Sequence, residues 1–198
     1  MPAGGPIGVM GGSFDPIHVG HLLAASEVAD RLDLSAVIFI PAGRPWQKSR
    51  RELAAAEDRY AMTVIATAGD PRFSVSRLEI DRPGPSYTID TLQTLAETLA
   101  PSTLYFITGA DALAGIETWY RYEEIVELAH LVGVSRPGHA LPSDQPVAAS
   151  TTFVDIPGLA VSATDIRERI AMHRPIRYLV PAEVESYIHK NELYRAAE

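Results

Sequence analysis

Short unbroken apolar runs alternate along this chain with longer stretches whose apolar residues recur every third or fourth position. "PIGVM" (6–10), "AVIFIP" (36–41), "TLYFITG" (103–109) and "HLVGVSRPG" (130–138) are of the first kind, with "TFVDIPG" (152–158) a weaker instance. Leu22, Ala25, Ala29 and Leu32 form a series of the second kind, as do Met62, Ile65 and Ala68, and Ile89, Leu92, Leu95 and Leu99. The runs read as β-strands and the series as amphipathic helices. A strand with one face in water alternates apolar and polar residues; these do not, so both faces of the sheet are covered. Strands parted by helices under that condition imply an α/β fold, a Rossmann-like doubly wound parallel sheet. Val184, Tyr187 and Ile188 mark a last helix whose first turn begins at Pro181. C-terminal helices thus complete a single domain over 1–198, with 1–5 and 196–198 as loose tails.

In such sheets ligands bind beyond the carboxyl ends of the strands, where helix N-termini gather. The first of those ends carries "GGSFDPIHVGH" (11–21). With the strand ending near Met10, Gly11 and Gly12 permit a tight turn and close approach of a ligand to the backbone. Pro16 stiffens the loop and the helix begins near residues 17–19. His18 and His21 then share one face of its first turn, with Gly20 leaving room beside them. A helix N-terminus has unpaired N–H groups and a partial positive charge, a natural seat for phosphate that imidazole donors extend.

Other chemistries fit less well. A His-x-x-His pair on a helix suits zinc, but no third ligand or H-E-x-x-H pattern accompanies it and the chain has no cysteine. No metal site is expected. A formal net charge of −8 repels nucleic acid at long range, while a small phosphorylated ligand responds to the local field instead. No apolar run is long enough for a membrane span, and "MPAGGPIGVMGG" lacks the basic start of a secretory signal. The expectation is a cytoplasmic protein with no membrane or nucleic-acid partner; a homo-oligomer is compatible with all of this. The stretches 42–55 and 137–150, rich in polar, proline or glycine residues, read as mobile loops.

The 11–21 string resembles the [T/H]-x-G-H signature of the nucleotidylyltransferase superfamily. Its G-[ST]-F-D-P-x-H-x-G-H form is that of the bacterial nicotinate-nucleotide adenylyltransferases. "VSATDIRERI" (161–170) resembles their I-S-S-T-x-I-R motif, and the likeness extends through "RPWQK", "DRPGPSYTIDTL", "YFITGADAL", "TWYRYEEI" and "PAEVESYI". It looks closest to the actinobacterial branch. The resemblance implies adenylyl transfer from ATP to nicotinate mononucleotide, giving deamido-NAD and pyrophosphate in NAD biosynthesis. Mg2+ would arrive with ATP.

Carried over residue by residue, the resemblance makes His18, His21 and Arg167 the catalytic group acting on the phosphates. Gly11, Gly12, Ser13, Phe14 and Gly20 would line the ATP site with them, joined by Ser162 and Thr164. Gly109 and Asp111 would lie near the adenosine ribose. Lys48 would reach the acceptor phosphate from a loop that orders on closure, and Tyr87, Thr88 and Trp119 would hold the pyridine ring and its carboxylate. Arg167 has a fork of donors suited to phosphate, and its helical neighbours Ala163, Thr164, Ile170 and Ala171 include no carboxylate. Val161 and Ala163 stand where the family has Ile and its second Ser, so any role of that hydroxyl falls to Ser162, Thr164 or backbone N–H groups. Ser162, with Asp165 three residues on, also reads as a helix cap. Asp15 before Pro16 reads as turn-stabilising, and Trp46 either shields the site or packs against a neighbour. The rivals are another transferase of the superfamily, such as a phosphopantetheine adenylyltransferase or a cytidylyltransferase, and a non-catalytic nucleotide sensor. A fragment of a class I aminoacyl-tRNA synthetase is disfavoured by the acidic charge.

Overall fold

The structure, a computed structural model, describes residues 4–45, 53–135 and 151–195. At its centre lie β1 (Ile7–Gly12), β2 (Ala36–Pro41), β3 (Phe73–Val75), β4 (Leu104–Gly109), β5 (His130–Ser135) and β6 (Thr151–Asp155). They form one six-stranded sheet in the order β3-β2-β1-β4-β5-β6, every neighbouring pair parallel. The order of strands reverses between β1 and β4, which opens a crevice at their carboxyl ends. The helices are α1 (Val19–Arg31), α2 (Ala56–Thr67), α3 (Thr88–Leu99), α4 (Ala110–Leu113), α5 (Tyr122–Leu128), α6 (Ala163–Ala171) and α7 (Ala182–Lys190), with a 3₁₀ turn at Ile116–Thr118.

The unbroken apolar runs follow from this arrangement. Val37 and Phe39 of β2 enter a core shared with α1, α2, α6 and α7, while Ile38 and Ile40 enter the opposite core beneath α3 and α5. Met10 and Ile107 go to the first core; Ile7, Val9, Leu104 and Phe106 go to the second. Successive side chains of a strand point to opposite faces, and here both faces are dry.

Local expectations needed correction in four places. β1 does not end near Met10: Gly11 and Gly12 remain in the ladder opposite Ile40 and Pro41. The turn begins only after them, with Phe14 at a φ of 45°. The edge strand β3 has three residues, all half-buried, too few to show any periodicity. On α2 Met62 is buried and Ile65 partly so against the core, as the stripe implied, but Ala68 is exposed and the rest of the buried face is Arg59, Thr63 and Thr67. Its threonines are satisfied within the helix, Thr63 Oγ1 donating to the Arg59 carbonyl (2.7 Å) and Thr67 Oγ1 to the Thr63 carbonyl (2.9 Å). Pro181 sits one residue before α7, as its N-cap. Lys48 and Trp46, with the rest of 46–52, and all of 137–150 lie outside the described residues.

Candidate active site

Two cavities open at the carboxyl edge of the sheet, and Gly12 and Ser13 belong to the walls of both. The first, of about 320 Å3, is lined by Phe14, Asp15, His18, His21, Ser162, Ala163, Thr164 and Arg167 in addition. It lies between the N-termini of α1 and α6, so two helix ends add positive potential to one space.

His18 is the N-cap of α1 in extended conformation, rather than a residue of the first turn, and is 4% exposed. Its N–H donates to Nδ1 of His21 (3.2 Å), and the two rings stack with centroids 3.7 Å apart. An accepting nitrogen carries no proton, so the neutral His21 ring holds its hydrogen on Nε2. Phe14 meets His21 edge-on at 5.1 Å and fixes the ring from another side. Gly20 has a different part from the one expected. A Cβ there would stand 3.1 Å from Nδ1 of His18, so the missing side chain makes room for the imidazole, and Gly20 is not among the lining residues of either cavity.

On the facing helix, Ser162 caps α6 by accepting from the Asp165 N–H (3.1 Å). Arg167 donates to Thr164 Oγ1 (2.9 Å) and to the Asp15 carbonyl (2.6 Å), with Asp15 Oδ2 3.9 Å away. A carboxylate does sit beside Arg167, although none stands three or four residues from it on α6. The Asp15 side chain is itself buried, its Oδ1 accepting from the Ala54 N–H (3.2 Å) and the Tyr194 hydroxyl (2.8 Å). Burial, reinforced by the Asp15 charge and hydrogen bond, pushes the Tyr194 phenol far above its ordinary range and keeps it a donor.

The second cavity, of about 330 Å3, brings together Tyr87, Thr88 and Trp119 with Phe106, Thr108 and Glu79. Tyr87 is the N-cap of α3 and Thr88 its first residue, so the N–H groups of that end have no partner within the helix. Trp119 stands edge-on to Phe106 at 5.9 Å, and Tyr87 packs against Tyr120 at 4.7 Å. A bridge between Pro45 and Ser86 ties the chain after β2 to the start of α3. Burial raises the Glu79 carboxyl above the ordinary carboxylate range, opposed by hydrogen bonds from Thr91 and Ser86. Gly109 and Asp111 lie exposed at the end of β4, and the cavity wall there is made by Thr108 and Ala112 instead.

Two contributions escaped the sequence reading: Arg59 altogether, and the buried contacts of Asp15, whose place before Pro16 reads only as turn-stabilising. Arg59 is 1% exposed and donates to three backbone carbonyls, those of Ser13 (2.8 Å), Ala54 (3.0 Å) and Gly43 (3.2 Å). It thereby clamps the turn after β1 to the chain on either side of 46–52. Burial lowers its pKa, against the charges of Asp15, Tyr194 and Glu79. Its signal was positional: residue 59 precedes Met62 by three and Thr63 by four, on the inward face of α2. Asp15 is the other, and only its distant partners reveal it. Among the described residues no group of three or more His, Cys, Asp or Glu side chains could hold a metal ion, and no helix is long and apolar enough to cross a membrane.

Two cavities of similar size that share a wall at the switch point, one between two helix N-termini and one lined by aromatic rings, suit the nucleotide-handling class of α/β protein. The cytidylyltransferase-like family matches residues 9–169. The probable nicotinate-nucleotide adenylyltransferase of Acidothermus cellulolyticus is 57% identical over 97% of this chain and 95% of its own. That of Streptomyces coelicolor is 55% identical over 94% and 99%. The chain therefore belongs to the cytidylyltransferase-like family and, within it, to the nicotinate-nucleotide adenylyltransferases. The fold is shared at long range by Plasmodium falciparum nicotinic acid mononucleotide adenylyltransferase complexed with NaAD, with a TM-score of 0.81 at 20% identity over 96% of this chain and 97% of that one.

Proposed function

We propose that the chain transfers the adenylyl group of ATP to the 5′-phosphate of nicotinate mononucleotide in NAD biosynthesis, in the cytoplasm. A phosphate oxygen of the mononucleotide attacks the α-phosphorus of ATP, the bond to the bridging oxygen breaks, and pyrophosphate leaves with the electron pair. The attacking group is already an anion, so no base has to remove a proton. The protein's work is to align the two reactants and stabilise the charge that builds on the phosphates.

The observation that carries this reading is the shared wall. A triphosphate seated between α1 and α6 and a mononucleotide whose base lies in the aromatic cavity both reach Gly12 and Ser13. Their reacting phosphates then meet at the end of β1. In this reading His21 Nε2–H and His18 face the α-phosphate, while Arg167 and Thr164 serve the β and γ groups. Ser162, already committed as a cap, contributes through the helix end it fixes. The family's second serine is Ala163 here, and Thr164 supplies the hydroxyl at that wall. Gly109 and Asp111 act at the rim toward the ribose, and Lys48 serves the acceptor phosphate.

Magnesium enters as part of the ATP substrate. Asp15, the carboxylate in the phosphate cavity, is occupied by Tyr194 and Ala54, which does not fit a protein-held ion. The ion screens the triphosphate charge when it comes with the nucleotide. Pyrophosphate release assayed with nicotinate mononucleotide, nicotinamide mononucleotide and phosphopantetheine tests the assignment. Turnover with the first is expected. Release only with another acceptor, or with none, overturns it.

A further inference from the structure

Four distant segments meet at one carboxylate. Asp15 follows β1, Ala54 precedes α2, Arg167 belongs to α6, and Tyr194 comes after α7. The residue at the centre is 2% exposed, so its charge is held by these partners and not by water. Tyr194 contributes the neutral donor. Its hydroxyl lies 2.8 Å from Asp15 Oδ1 and reaches it across 179 residues of sequence.

We propose that Tyr194 is a positioning residue for the phosphate cavity. By holding the Asp15 carboxylate through Oδ1, it fixes the Asp15 carbonyl that receives Arg167, and so sets the direction of the guanidinium at the cavity wall. The geometry supports this order of action. Arg167 bonds the carbonyl of Asp15 at 2.6 Å, while the carboxylate Oδ2 stays at 3.9 Å. Without the phenol, the carboxylate is released toward Arg167, whose Nη1 already lies 3.9 Å from Oδ2. A full ion pair there tilts the fork toward Asp15 and engages N–H groups that would otherwise point at the phosphates. The raised pKa of Tyr194 keeps the hydroxyl a donor throughout the working pH range.

This inference rests on reading the first cavity as the triphosphate seat, and the experiment separates the two. Tyr194→Phe keeps the ring and removes only the hydroxyl. KM for ATP is expected to rise about three- to thirtyfold, the scale of one hydrogen bond. KM for nicotinate mononucleotide is expected to stay within about twofold, since its cavity is walled by other residues. The same substitution is then made in an Arg167→Ala background. If Tyr194 acts through Arg167, its effect on KM for ATP shrinks to less than about twofold there. An equal effect in both backgrounds, equal rises in both KM values, or no change in KM for ATP overturns the proposal. A thermal midpoint lowered with both KM values unchanged overturns it too, as a purely structural role. Arg167→Ala leaving ATP kinetics intact overturns the reading of the cavity itself, and the proposal with it. Should Tyr194→Phe not fold, Tyr194→His, which retains a ring N–H donor, replaces it in the same cycle with the same criteria.

Discussion

His21→Ala removes two functions of one ring. The imidazole accepts the His18 N–H that opens α1 and, in the proposed mechanism, donates from Nε2 to the α-phosphate. Deleting a preorganised donor of this kind lowers turnover by roughly 10²–10³. Loss of the capping acceptor removes about 1 kcal/mol of stability. Steady-state kinetics and a denaturant titration read the two separately, and turnover within about threefold of the parent would exclude the phosphate role. Glu79 offers a test at another position. Its carboxyl is raised by burial, so the folded protein binds that proton more tightly than the unfolded chain does. The folded state then holds more protons from the ordinary carboxylate range up to the raised value, and Glu79's contribution to stability falls as pH climbs through that window. Arg82 works against the shift and Asp90 adds to it. Glu79→Gln keeps an acceptor for Thr91 and carries no proton to lose, so its advantage over the parent should grow from mildly acidic to neutral pH. Thermal midpoints across that range decide it; a constant difference would mean that Glu79 ionises freely. That His18, His21 and Arg167 meet at one cavity, and Tyr87, Thr88 and Trp119 at another, could be anticipated because each belongs to a short motif. Asp15 and Arg59 could not, because their partners lie far off in sequence and only the fold brings them near.

The helix N-termini carry the site, and each does so through local sequence. "PSYTIDTL" starts α3 at Thr88, leaving N–H groups beside the aromatic cavity. A nicotinate carboxylate gains from those donors and from the helix-end charge, a bond about twice as strong as a neutral one. A nicotinamide places an N–H₂ group among donors and leaves groups unpaired at about 1–3 kcal/mol. The expected preference for nicotinate mononucleotide is about 10–10³-fold in kcat/KM. Equal values for the two mononucleotides, or a preference for the amide, would remove this helix end from the specificity pocket. Elements with strong periodicity were legible in the sequence, α1, α3 and the long strands among them. β3 was not, since three half-buried residues at a sheet edge carry no pattern. On α2 the apolar stripe found buried Met62 and partly buried Ile65 but took in exposed Ala68, and it missed Arg59, Thr63 and Thr67 because these satisfy their polar atoms on backbone carbonyls, which hydropathy does not register.

Across the whole molecule, the parallel order β3-β2-β1-β4-β5-β6 brings residues from both ends of the chain to one edge. The parallel sheet followed from the alternation of runs and stripes; its strand order, with β3 at one side, and the closing of the carboxyl edge by the segment after α7 did not. Tyr187 donates to Asp58 at 2.9 Å and Tyr194 to Asp15 at 2.8 Å, so the last helix and its continuation brace α2 and the turn after β1. The sheet, by contrast, is held by ladders within two continuous cores. These differ in how they yield to stress. α7 belongs to the first core through Val184 and Ile188, but the segment after it is only partly buried at that core's margin, and such a margin opens at lower free energy than core strands do. Catalytic competence should therefore disappear at lower urea concentration than the far-ultraviolet circular dichroism of the sheet and helices, and coincident transitions would show the segment to be part of the cooperative unit. The tyrosine latch at Asp15 thus gives the protein a fragile point that silences it while most of its architecture still stands. A mildly stressed population would be folded by every optical measure and yet inactive, recovering as soon as one phenol finds its carboxylate again.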